Sequence, residues 1–254
     1  MGLDGATDTS IGDDWYQRSF GAVYPVLYAH RSVEAAAPEA AFAAERLGLQ
    51  SGDRVLDLCC GNGRHMVHLL RHTPRVVGLD YSLDLLSLAS EQLGDGAGLV
   101  RGDMRALPFG MVFDAVTNFF TSFGYFGAPE ENLAVVREVA RVLKPMGRFF
   151  IDYLNPAHVA ATLVPETVRE HEGYQITERR WIDGERRRVN KATVVSRDGR
   201  MVGRWGESVR LYEEAEFRAL LREGGLEIER LFGDYDGAPP SDDRPRLIAV
   251  GHRA

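Results

Sequence analysis

The ten residues that most constrain this chain are VLDLCCGNGR, Val55 to Arg64, an apolar run that stops in a turn of small residues. Its strand-like half holds one carboxylate, Asp57, and the turn that follows is Cys59, Cys60, Gly61, Asn62 and Gly63. Glycines there let the backbone turn tightly and come close to a ligand. A helix starting near Arg64 would aim free N–H groups at the same point. In an open parallel sheet, ligands sit beyond the carboxyl ends of the strands, so this turn marks a candidate binding crevice. Alone it does not choose a ligand, because phosphate and dinucleotide sites use such a turn too.

The rest of the chain repeats the strand-then-helix unit. Ala-rich helical periodicity over Glu34 to Leu47 stops at Gly48, and a helix is expected from Arg64 to Arg71. Then come the strand RVVGLD, a helix from Ser82 to Leu93, the short strand GLVRGD and the strand FDAVTNFF. A helix from Pro129 to Leu143, closed by KPMG, leads to RFFIDYL. Strands separated by helices at this spacing build a parallel, doubly wound sheet with helices on both faces. After Asn155 the pattern changes: from Thr167 to Leu211 strands alternate around Asp183-Gly184 and Asp198-Gly199, both hairpin signals. A helix from Glu213 to Glu223 then precedes two last strands, LEIERLFG and RLIAVGHR, read as a closing hairpin. The organisation is therefore an N-terminal lid and first helix over residues 1–50, a core over 51–155, an antiparallel insertion over 156–212 and the end of the core sheet over 213–254.

Four strand ends each present a polar group: Asp57, Asp80 about twenty residues on, Asp103 followed by Met104, and Asn118. A carboxylate at Asp80 can accept hydrogen bonds from both hydroxyls of a ribose, or it can cap the helix that follows. This set resembles the class I S-adenosylmethionine-dependent methyltransferases over roughly Asp53 to Tyr153. The resemblance implies a Rossmann-like, doubly wound seven-stranded α/β sheet with a C-terminal antiparallel hairpin and an antiparallel insertion after the fifth strand. It implies S-adenosylmethionine as cofactor, released as S-adenosylhomocysteine. Asp57 and the turn Cys59, Gly61, Asn62 and Gly63 would hold its methionine end, Asp80 its ribose and Asp103 its adenine amino group. Met104 would pack on the adenine, Asn118 and Phe119 would line the sulfonium, and Tyr16, Tyr81, Leu85 and Gly102 complete the expected cofactor set. One departure stands out: Cys59 occupies the place of the first glycine of the family turn.

Beyond those motifs, GDMRALPF, FTSFGYF and RLYEEAEFRALLREGGLEIE look like small-molecule methyltransferases, with a loose likeness to the nucleotide-sugar N-methyltransferases of antibiotic biosynthesis. The expected reaction is in-line methyl transfer to a nitrogen or oxygen of a small-molecule acceptor. Tyr16, Tyr28, Tyr125 and Asp152 are candidates for a general base. The stretch NFFTSF after the fourth strand lacks the Asn-Pro-Pro-Tyr of enzymes that methylate planar nitrogens in DNA or glutamine. Two other classes stay open. A nicotinamide-dependent oxidoreductase would share the turn and Asp80 but leaves Asp103-Met104 unexplained. A non-catalytic cofactor-binding partner would keep the motifs without an acceptor pocket.

Composition limits the partners. The net charge of -7 argues against a surface that grips nucleic acid or an anionic membrane. No apolar run reaches the length of a spanning helix, and the N-terminus lacks signal-peptide features, so a cytoplasmic protein is expected. The two cysteines are neighbours, and no metal-ligand spacing is present, so no metal is expected. His65, His68 and His72 read as partly exposed helix residues. The aromatic series Tyr16, Phe20, Tyr24, Tyr28, interrupted at Pro25, suits a lid or plain core packing. Glu178 to Arg204 carries nine basic side chains against four acidic ones. This run reads as a protected, solvated strand edge, a homodimer surface, or a face on which Arg186 and Arg188 steer an anionic acceptor.

Overall fold

The computed structural model describes residues 11–19, 28, 31–94 and 98–254. In chain order the core elements are α1 (Tyr16–Ser19), α2 (Val33–Leu47), β1 (Val55–Leu58), α3 (Met66–Leu69), β2 (Val76–Asp80), α4 (Leu83–Leu93), β3 (Gly98–Arg101), β4 (Phe113–Asn118), α5 (Pro129–Val142) and β5 (Leu143–Leu154). Then follow α6 (Pro156–Thr162), the strands β6 (Glu166–His171), β7 (Tyr174–Asp183), β8 (Arg188–Arg197) and β9 (Arg200–Arg210), α7 (Glu214–Glu223), β10 (Leu226–Phe232) and β11 (Arg246–Arg253).

Seven strands form one sheet in the order β10-β11-β5-β4-β1-β2-β3, and β6 to β9 form a second, antiparallel sheet. Strands β1 to β5 pair in parallel, while β11 runs antiparallel to both β5 and β10. The strand order reverses between β1 and β4, which places the crevice at the ends of those two strands. Alternation along the strands sends side chains to two cores. Leu56, Val116 and Phe149 pack under α5 and α7, whereas Val55, Ala115 and Phe150 pack under α2 and α3.

The helices carry the caps that their sequences announce. Ser32 and Ser82 accept the N–H groups of Ala35 and Leu85, and Gly48 ends α2 in the left-handed conformation. The helix expected over Arg64 to Arg71 is shorter, Met66–Leu69, and continues only as tight turns through Thr73. The KPMG segment closes α5 by looping out of the ladder, since Leu143 pairs with Phe113 and Arg148 already with Ala115. Helix α6 was not visible in the periodicity, being too short for a repeat. It starts at an Asn155 cap followed by Pro156, a local start signal.

Both expected hairpins form. Asp198 and Gly199 at φ 51° and 72° make the two-residue link of β8 to β9, while Asp183 pairs with Arg188 across a four-residue loop. The basic run is not one steering face. Arg186 is exposed in that loop, but Arg188 is buried and donates to the carbonyls of Gly124, Tyr125, Phe126 and Ser208. Arg187 is paired with Glu216 on α7. The run therefore staples the second sheet to the core. Residues 11–19 cross that sheet, with the Ser19 hydroxyl donating to the Gly206 carbonyl at 2.6 Å. Phe20, Tyr24 and Pro25 lie outside the described residues. Among the described residues no helix is long and apolar enough to cross a membrane.

Candidate active site

The turn after β1 has left-handed backbone at alternate positions: Cys59 at φ 60°, Gly61 at 55° and Gly63 at 79°. Cys59 thus adopts the glycine-favoured conformation without being glycine, and its thiol faces the Met104 sulfur at 3.6 Å. Burial, with Asp80 and Asp57 nearby, pushes the thiol well up from its usual value, so it stays protonated. Gly63 serves packing, because a Cβ there would lie 3.1 Å from Leu93 and 3.2 Å from Ala89 on α4.

Asp80 is nearly fully buried and already organised. One oxygen accepts the Gly61 N–H at 2.9 Å and the other the Ser82 N–H at 2.8 Å. Burial raises its pKa and these backbone donors oppose that rise. Each oxygen retains a lone pair for a hydroxyl donor. Two backbone donors therefore depend on this side chain, which ties the turn after β1 to the start of α4 as well as facing the cavity.

Asp57 is completely buried and is pushed up to about 7 by desolvation, against the Thr117 hydroxyl that donates to it at 2.9 Å. Its second oxygen and the Asn118 amide oxygen are buried with no partner among the described residues. Such orphaned acceptors behind the wall of the turn fit an ordered water at this place. Asn118 itself stands behind the wall, its amide tying Leu58 to Ser122. Asp103 is bound by Arg105, with Nη2 at 2.6 Å. Partial burial works against its charge, but the bonds and charge of Arg105 together hold its pKa below the usual value. Arg105 also reaches Glu131 and the Tyr16 hydroxyl, fixing α1 against the mouth.

One cavity of about 660 Å³ collects these groups. Of the expected cofactor residues, Tyr16, Cys59, Gly61, Asn62, Asp80, Tyr81, Leu85, Gly102, Asp103, Met104 and Phe119 line it; Asp57, Gly63 and Asn118 lie behind the lining. The cavity continues past Phe119 to Ser122 and ends against α6 and the second sheet, at Leu163, Val189, Lys191, Glu207 and Val209. Lys191 and Glu207 are paired across β8 and β9 at 2.7 Å, and both bond the Tyr28 hydroxyl. Burial opposes the charge of Glu207, but Lys191 and Tyr28 together keep its pKa lowered.

Of the four candidate bases, Tyr16 and Tyr125 line the cavity, and Tyr125 packs on Trp15 with ring centroids 4.7 Å apart. Tyr28 and Asp152 are not among the lining residues. Tyr28 is held by Lys191 and Glu207, and Asp152 has no exposed surface and is ion-paired with Arg246 at 2.5 Å. Two of the three histidines also depart from expectation. His65 stacks on Phe119 at 3.9 Å and bonds Glu39, and burial pushes its pKa down to about 4, so it is neutral. His68 is buried and bonds the Val33 carbonyl. The sequence reading missed Arg105, Lys191, Glu207 and Arg246. The position of Arg105, two residues after Asp103, was a usable signal; the other three converge only through long-range pairing.

Comparison with known proteins adds to this geometry. Residues 55–147 match the model of a methyltransferase domain family. The chain is 30% identical to a dTDP-3-amino-3,4,6-trideoxy-alpha-D-glucopyranose N,N-dimethyltransferase of Streptomyces venezuelae, covering 87% of this chain and 96% of that one. It is 29% identical to a cypemycin N-terminal methyltransferase of a Streptomyces species, over 80% of this chain and 84% of that one. It superposes on the S-adenosylmethionine-bound amino pentose methyltransferase of calicheamicin biosynthesis from Micromonospora echinaspora with a TM-score of 0.68 and 25% identity, covering 90% of this chain and 96% of that one.

Proposed function

The chain belongs to the class I S-adenosylmethionine-dependent methyltransferases, and we propose that it methylates a nitrogen of a small-molecule amine lodged between the core strand ends and the second sheet. The observation that carries this reading is the continuity of the cavity from Asp80 and Met104 to Lys191 and Glu207. A chain that only carried the cofactor would need just the first half of it. The amine follows the two relatives, both named as methylating nitrogen-bearing acceptors.

S-Adenosylmethionine supplies a methyl carbon already activated by its sulfonium. The residues of the chain bind, align and exclude water, and orientation of this kind is worth about 7–11 kcal/mol in well-placed intramolecular reactions. Asp80 would accept the ribose hydroxyls, Tyr81, Leu85 and Met104 would flank the adenine, and the turn at Cys59 to Asn62 would receive the methionine end. The Trp15 and Tyr16 segment covers the mouth. Glu207, kept ionised by Lys191 and Tyr28, attracts the acceptor's amine. Tyr16 and Tyr125 are the candidate bases that line the cavity.

The test pairs calorimetry of S-adenosylhomocysteine binding with transfer of labelled methyl to amino-sugar nucleotides and short peptides. Glu207→Gln should lower acceptor kcat/KM by about tenfold, the effect of one charge-assisted hydrogen bond, while cofactor affinity stays unchanged. Label appearing on oxygen, or equal acceptor kinetics in the variant, would overturn the assignment.

A further inference from the structure

Phe120 and Thr121, one residue removed from the end of β4, both have left-handed backbone, at φ 59° and 63°. Neither an aromatic nor a β-branched residue settles there readily, and two in succession persist only where their surroundings over-determine them. The surroundings here converge on one residue. Asp152 accepts the Phe120 N–H at 2.7 Å through Oδ2, and its main-chain carbonyl accepts the Thr121 N–H at 2.9 Å. Tyr235 donates its hydroxyl to Oδ2 at 2.8 Å, and Arg246 Nε donates to Oδ1 at 2.5 Å. Arg246 then returns to the same two residues, bonding the Thr121 hydroxyl at 3.0 Å and standing 5.2 Å from the centre of the Phe120 ring.

Phe120 and Thr121 line the cavity, beside the turn after β1 and on the way to the acceptor half. Asp152 lies behind them with no exposed surface. We propose that Asp152 is a positioning residue for methyl transfer, holding Phe120 and Thr121 in the left-handed wall that joins the cofactor and acceptor halves of the cavity. It takes no proton from the acceptor. Its contacts explain why an acidic residue stands in the buried strand FFIDYL: both of its oxygens are committed to donors on β11, the loop that precedes it and the Phe120 amide.

The kinetic part of this inference rests on the methyl-transfer reading; the backbone part does not. In the wild-type protein, hydrogen exchange should find the Phe120 and Thr121 amides as protected as those of the β4–β5 ladder, and fast exchange at both would overturn the proposal. Asp152→Asn, nearly isosteric, should speed exchange at Phe120 by about tenfold or more and lower kcat by a comparable factor. The KM for S-adenosylmethionine and the shape of the pH profile should remain. Loss of the acid limb of that profile would make Asp152 a base, and unchanged kcat with a freed amide would make it a purely structural residue; either result refutes the proposal. Arg246→Lys keeps the charge and loses the fork that spans Asp152 and Thr121. It should shift exchange and kcat in the same direction, and serves where Asp152→Asn does not fold. Absence of turnover in the wild type counts against the methyl-transfer reading, while the exchange result still decides the backbone role.

Discussion

Replacing Cys59 by alanine and, separately, by glycine isolates the cost of a side chain in the turn after β1. At φ 60° the Cβ of an L residue crowds the backbone, at a cost of about 1–2 kcal/mol. Alanine keeps that Cβ and loses the sulfur contact to Met104, whereas glycine loses both. At an ordinary position glycine is the less stable of the two by roughly 0.5–1 kcal/mol, because its unfolded chain is freer. Here relief of the strained conformation outweighs that entropy. Cys59→Gly should therefore be more stable than Cys59→Ala by about 0.5–1 kcal/mol, the opposite of the usual order. For a chain of this size the gap corresponds to a shift of about 1–4 °C in Tm. Urea denaturation and thermal melting without cofactor measure it, with equal m-values as the check that both variants expose the same surface on unfolding. An alanine variant as stable as the glycine variant, or more so, would refute the argument that this turn is under strain.

Asp80→Ala leaves the Gly61 and Ser82 N–H groups without their acceptor, so stability should fall by about 1–3 kcal/mol alongside a loss of cofactor affinity of at least about tenfold. Unchanged S-adenosylhomocysteine affinity in the folded variant would remove Asp80 from the cofactor site. His65 gives a pH signature, because burial holds its folded pKa down to about 4, below the ~6.5 of an unfolded histidine. The unfolded chain takes the proton first, so wild-type stability is lost as pH falls through that window. His65→Gln removes this loss, and the stability of the variant relative to wild type should rise by up to about 3 kcal/mol between pH ~6.5 and ~4; a difference that stays constant with pH would show that His65 is not buried neutral.

The sequence by itself determined the order and direction of the core elements and where their ligand-facing ends lie. Those features are local: a four-residue apolar strand ending in CCGNGR, serine caps before α2 and α4, and the Asp198-Gly199 turn each act through neighbours along the chain. The polar groups at Asp57, Asp80, Asp103 and Asn118 were legible for the same reason, because each follows directly from the place where a strand stops. What those groups touch was decided by tertiary structure. Asp152 looked like a candidate base from its place in RFFIDYL, yet Arg246 and Tyr235, both more than eighty positions away, take its oxygens. The same long-range convergence brought Lys191 to Glu207 at the cavity and buried Arg188, although Lys191 and Arg188 belong to a run that composition alone reads as solvated charge. Charge and alternation state what a side chain can do; which side chains share one cavity depends on how two sheets, joined through α6, settle against each other, because burial and pairing energies belong to the assembled fold and to no segment of it.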